Sequence, residues 1–125
     1  MIAPHPYYPG RICLKENLEK YIELFDAIEY SWYHSKRFNQ PNKKAVKMAE
    51  KHGKPMLATA DNHILKYVNH SYSLVRAEKT TESIFEAIRA NEIQIVSHDL
   101  PWWKLGTIMS WMLLASWLKK VTLKG

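Results

Sequence analysis

Short apolar runs alternate along this chain with stretches whose apolar residues recur at helical spacing, and that alternation narrows the possible folds most. The runs are residues 1–3, 27–32, 56–59, 72–77 and 92–97. Between the first two, Leu14, Leu18, Ile22 and Phe25 predict one amphipathic helix. Ala45, Val46, Ala49 and His52 mark the inner stripe of a second, and Ile84, Ala87 and Ile88 that of a third over 81–90. The punctuation agrees. Pro4 and Pro6 stop the first strand, and Pro9-Gly10 marks a loop. Pro41 sits at a first helical position, and Gly53 ends that helix with Pro55 just beyond. Strands of this length between helices predict parallel βαβ units with both sheet faces covered.

Length limits how much of such a fold is present. At 125 residues the chain makes one domain, about half of what a complete α/β barrel of roughly 250 residues needs. The tail follows a different pattern. Residues 105–118 are all uncharged, with Ile108, Met109, Trp111, Met112, Leu113, Leu114, Trp117 and Leu118 spread around every side of a helix. That is short of the roughly 20 apolar residues that span a bilayer. A helix buried against protein is the favoured expectation. An interfacial anchor over 102–120 is the alternative, because Trp102, Trp103, Trp111 and Trp117 lie near flanking lysines. The division expected is 1–100 for the α/β portion and 101–125 for the tail. A lone cysteine, Cys13, rules out an internal disulfide framework. The opening Met1-Ile2-Ala3-Pro4-His5 has no signal-peptide pattern. Both point to a cytoplasmic chain, peripheral to a membrane if the tail is an anchor.

The net charge of +6 is concentrated. Lys36, Arg37, Lys43, Lys44, Lys47, Lys51 and Lys54 face a single nearby acid, Glu50. Such a face can steer phosphate-bearing substrates or nucleic acid. It also serves as the solvated side of a helix, the reading favoured here because no aromatic residues interleave with the lysines. After Asp99 come Lys104, Lys119, Lys120 and Lys124, and no acid.

Two constellations close predicted strands: Ala3-Pro4-His5-Pro6 and Thr59-Ala60-Asp61-Asn62-His63. Functional groups in parallel α/β folds gather at the carboxyl ends of strands, so both are expected at one mouth. In an extended segment Asp61 and His63 would point to the same side. Imidazole and carboxylate together suit Zn²⁺, Mn²⁺ or Fe. His34, His52, His70 and His98 read as surface or satisfied core histidines.

Taken in order, these residues resemble the PHP (polymerase and histidinol phosphatase) family. Ile2-Ala3-Pro4-His5-Pro6 is similar to its histidine-proline motif, and Phe25-Asp26-Ala27-Ile28-Glu29-Tyr30 to its Asp-x-hydrophobic-Glu strand. Residues 42–55 resemble the helix before its last metal motif, and Thr59-Ala60-Asp61-Asn62-His63 is similar to its Ser-Asp-Ala-His motif. Ala60 and Asn62 depart from that motif at positions that are not ligands. The family's His-x-His strand and its other N-terminal ligands do not occur in these 125 residues.

The resemblance implies a partial distorted (β/α)7 barrel, the C-terminal half of a PHP-type barrel, with a hydrophobic C-terminal helix added. It implies metal-dependent hydrolysis of a phosphoester, with up to three divalent ions in the intact domain. His5, Asp61 and His63 would each give one bond to a separate ion, too few to hold any of them. Arg37 is the candidate for substrate phosphate, though no spacing selects it over the nearby lysines. The chain alone is expected to be inactive. Its expected partners are a phosphoester substrate and a complementary N-terminal half or a second copy. The alternative is a truncated relic or subunit acting as a binding module.

Overall fold

The computed structural model describes residues 1–9, 12–61 and 67–122. β1 (Ile2–Ala3), β2 (Ala27–Tyr30) and β3 (Met56–Ala58) form a parallel sheet with β2 in the middle. Ala3 stands opposite Ile28, and Glu29 opposite Leu57. Ala27, Ile28 and Glu29 are all buried, as a central strand covered on both faces requires.

The crossover from β1 to β2 departs from expectation. Instead of one helix through Leu14 and Phe25, a short α1 (Asn17–Lys20) gives way to a 3₁₀ turn at Ile22–Leu24. Tyr21, at φ −117° and ψ 24°, breaks the helical path. In a 3₁₀ turn residues three apart eclipse, so Ile22 and Phe25 still drop onto the same side. Leu18, Ile22 and Phe25 accordingly share one core with Ala3, Ile28, Ala45 and Ala49.

The second crossover is a full helix, α2 (Gln40–His52), with Pro41 at its second position rather than its first. Pro41, Asn42, Ala45 and Ala49 form its buried face, small enough for close approach to the sheet. Asn42 is wholly buried and closes a two-way bridge. Its Oδ1 accepts the Ser31 N–H at 2.9 Å, and its Nδ2 donates to the Ser31 carbonyl at 2.9 Å. Gly53, at φ +60°, terminates the helix while Lys54 N–H bonds the Ala49 carbonyl and Gly53 N–H that of Glu50. This paired pattern satisfies carbonyls that would otherwise be orphaned at the helix end.

Beyond β3 the parallel expectation fails. β4 (Ser71–Val75) and β5 (Ile93–Ser97) pair antiparallel, with α3 (Thr81–Arg89) between them. Thr80 caps α3 by accepting the Ser83 N–H. Asn91, at φ +57°, ends it as Glu92 N–H bonds the Ala87 carbonyl and Asn91 N–H that of Ile88. The chain therefore turns back at once, and the Arg76 N–H bonds the Glu92 carbonyl, so β5 begins beside the end of β4. Exposed Tyr72 and Leu74 alternate with better-covered neighbours along β4, the pattern of a sheet with one wet face.

The two sheets are joined by a side chain. Ser73 Oγ accepts the Ala58 N–H at 2.8 Å and donates to the Ala58 carbonyl at 3.0 Å, capping the outer edge of β3. The expected half of a seven-stranded barrel is thus a three-stranded parallel sheet clipped to an antiparallel pair. Among the described residues no barrel closes.

The tail is helical over a longer stretch than expected, as α4 (Trp102–Thr122). Leu105 and Ile108 are buried with Trp32 and Leu100, and the Tyr33 hydroxyl donates to the Leu105 carbonyl. One stripe of the tail docks on its own chain.

Candidate functional site

Neighbouring parallel strands bring their carboxyl ends to one rim, and the two outer strands each deliver a polar residue there. His5 follows β1 by two residues, and Asp61 follows β3 by three. Both turn off the strand direction through positive φ, +24° at His5 and +32° at Asp61. Side chains rarely adopt that region, and it recurs where a functional group must be aimed. Asp61 is therefore not in extended backbone, so the simple alternation expected for Asp61 and His63 does not apply at its first residue. His63 itself lies outside the described residues.

Glu29, on the middle strand, ties the rim together. It is 2% exposed. Its Oε2 accepts the His5 backbone N–H at 2.6 Å, and its Oε1 accepts the Thr59 hydroxyl. Burial pushes its carboxyl above the ordinary range, the two hydrogen bonds pull back, and the charge of Asp61 adds to the rise.

Above it His5 Nε2 lies 3.6 Å from Asp61 Oδ2, and His5 Nδ1 lies 3.4 Å from Cys13 Sγ. The Trp32 indole N–H donates to the Asp61 carbonyl at 3.3 Å, holding that loop in place. A cleft of about 330 Å³ opens beside the pair, walled by Tyr8, Ile12, Trp32, Tyr33 and, from α4, Met109. The Tyr8 hydroxyl donates to the Tyr33 carbonyl, and burial pushes its phenol far above its usual pKa. Burial likewise raises the Cys13 thiol.

The structure thus unites His5 and Asp61. Arg37 is placed elsewhere, in a second cleft with Lys36, Asp99 and Trp102. Glu29 is not among the expected site residues, although it is the one acid inside the run Ala27-Ile28-Glu29-Tyr30 and the glutamate of the strand motif. Nothing in the local sequence marks Cys13 as a neighbour of His5.

His5 and Asp61 present two donor atoms, and both Glu29 oxygens already accept hydrogen bonds. A protein metal site ordinarily needs three or four ligands. Among the described residues no group of three or more His, Cys, Asp or Glu side chains is disposed to hold an ion. They do not fit a complete metal centre.

Residues 39–93 match the family model described as PHP-associated (PHP_C). The match is consistent with a C-terminal part of a PHP domain. A comparison with curated proteins gives no match. The PHP match contains Asp61 and stops short of His5, so the pairing of the two rests on the structure. PHP proteins are generally metal-dependent hydrolases.

Proposed function

We propose that this chain supplies one wall of a PHP-type phosphoesterase centre, which is completed by ligands from outside these 125 residues. The observation that carries the reading is the convergence of His5 and Asp61 over the buried Glu29. In this reading His5, Asp61 and His63 contribute to the ligand set of divalent ions (Zn²⁺, Mn²⁺ or Fe). Glu29 acts as a positioning residue, fixing the backbone of His5 and the Thr59 hydroxyl. The apolar cleft beside the pair would receive the organic part of a phosphoester.

With two donors in place, the chain alone should not turn over p-nitrophenyl phosphate in Mn²⁺ or Zn²⁺. Adding the N-terminal portion of a PHP domain, fused ahead of Met1 or as a separate chain, should bring activity. Asp61→Asn and His63→Ala should each then abolish it. Turnover by the purified chain that survives both substitutions would refute the assignment.

The second reading is a catalytically inactive binding module. The hydrogen bonds that both Glu29 oxygens accept favour it, because they tie that carboxylate to the His5 backbone and to Thr59. A complemented chain that folds and assembles yet stays inactive, with either ion, decides for this alternative.

A further inference from the structure

The outward side of α4 is unusual for a helix facing water. Its inner stripe, Leu105 and Ile108, is buried. The opposite arc carries Trp102, Trp103, Trp111, Leu113 and Leu114, each more than half exposed. Gly106, Thr107 and Ser110 complete that arc, so the exposed face between Trp102 and Leu114 carries no charged residue except Lys104 at its margin. A water-facing helix surface normally holds its charged residues there. Large contiguous apolar patches mark a surface that something else covers.

Charge indicates what covers it. No acid follows Asp99, while Lys104, Lys119, Lys120 and Lys124 do. At the start of α4 the Arg37 guanidinium lies 6.0 Å from the Trp102 ring centre, and the Lys104 ammonium 5.5 Å from that of Trp103. The cleft beside Trp102, about 350 Å³, is lined by Lys36 and Arg37. Its one acid, Asp99, is engaged with His34 at 3.1 Å. Tryptophan and leucine flanked by cations are the residues that settle at the boundary of an anionic bilayer. Among the described residues no helix is long and apolar enough to cross a membrane, so α4 would lie along the surface.

We propose that the outer face of α4, with the Lys36–Arg37 cleft at its start, docks on an anionic phospholipid surface. The full chain should co-sediment with vesicles of mixed phosphatidylserine and phosphatidylcholine, and far less with phosphatidylcholine alone. Trp111→Glu and Leu114→Glu change exposed positions and should leave the melting transition in place while weakening binding about tenfold or more. Lys36→Ala and Arg37→Ala should each weaken it about fivefold, the worth of one cation near such a surface. Added salt should reduce binding by the wild-type chain. No binding of folded chain to anionic vesicles would overturn the proposal, as would binding that Trp111→Glu leaves unchanged. So would a wild-type dimer in light scattering that Trp111→Glu makes monomeric without any vesicle binding, since a second copy would then cover the face.

Discussion

The two sheets differ in how completely they are enclosed. Around β2 the layers are filled: Ile28 and Leu18 are fully buried, Ala45 and Ala49 seat α2, and Asn42 answers both backbone polar groups of Ser31. Around β4 and β5 one face is wet, with Tyr72, Leu74 and Phe85 substantially exposed. The candidate site sits at the rim of the first region, where strand ends are held by a packed core and a buried carboxylate. The comparison separates a scaffold that fixes geometry from an attached unit whose apolar surface is only partly used.

The sharpest way to break that contrast is to cut matching holes in both regions. Ile28→Ala should cost about 3 to 4 kcal/mol, the range for deleting most of a fully buried aliphatic chain. Leu74→Ala, at a residue 51% exposed, should fall within about 0.5 kcal/mol of the parent. Chemical denaturation of both variants checks this. Equal losses would mean that the second sheet is covered in solution and that the contrast is wrong.

A finer test compares the polar ties. Asn42→Ala strands the buried Ser31 N–H and carbonyl together, and should cost about 2 kcal/mol. Ser73→Ala removes the clip to Ala58 at a partly buried edge, and should cost about 1 kcal/mol. If Ser73→Ala proves the more damaging, the joint between the sheets, and not the α2 bridge, holds the fold together.

The sequence was most legible where one periodicity governed a whole element. The α2 pattern, its Pro41 start and its Gly53 stop came through because alanine spacing and backbone-specific residues all agree there. The antiparallel return of β5 was hidden. It depends on Asn91 at positive φ and on a hydroxyl, Ser73, standing in for a strand partner, and neither alters the pattern of apolar runs. At the site, proline and strand-end placement exposed His5 and Asp61. Glu29 was visible as the acid of the Asp-x-hydrophobic-Glu strand, but its place beneath the site emerges only from its two hydrogen bonds. Cys13 reaches His5 through a loop whose path no local pattern encodes.

The smallest expected effect is a difference in acid sensitivity. His70 precedes β4 and packs edge-on against Tyr67 and against His98, which follows β5. Burial lowers its pKa below the usual imidazole value. The nearby His98, His34 and Lys104 lower it further, while a hydrogen bond with the His98 backbone partly offsets them. In the unfolded chain His70 regains its ordinary pKa, so between the two values the unfolded state binds more protons than the folded one. Stability therefore rises with pH across that window. The contribution is present above the ordinary imidazole pKa and is lost as pH falls through the depressed folded-state value. His70→Phe keeps the ring packing and removes the titration. Its melting temperature should fall less than that of the parent between about pH 7.5 and pH 5. Parallel falls would show that His70 binds its proton equally well in both states, and the acid-sensitive point of the second region would have to be sought at another group.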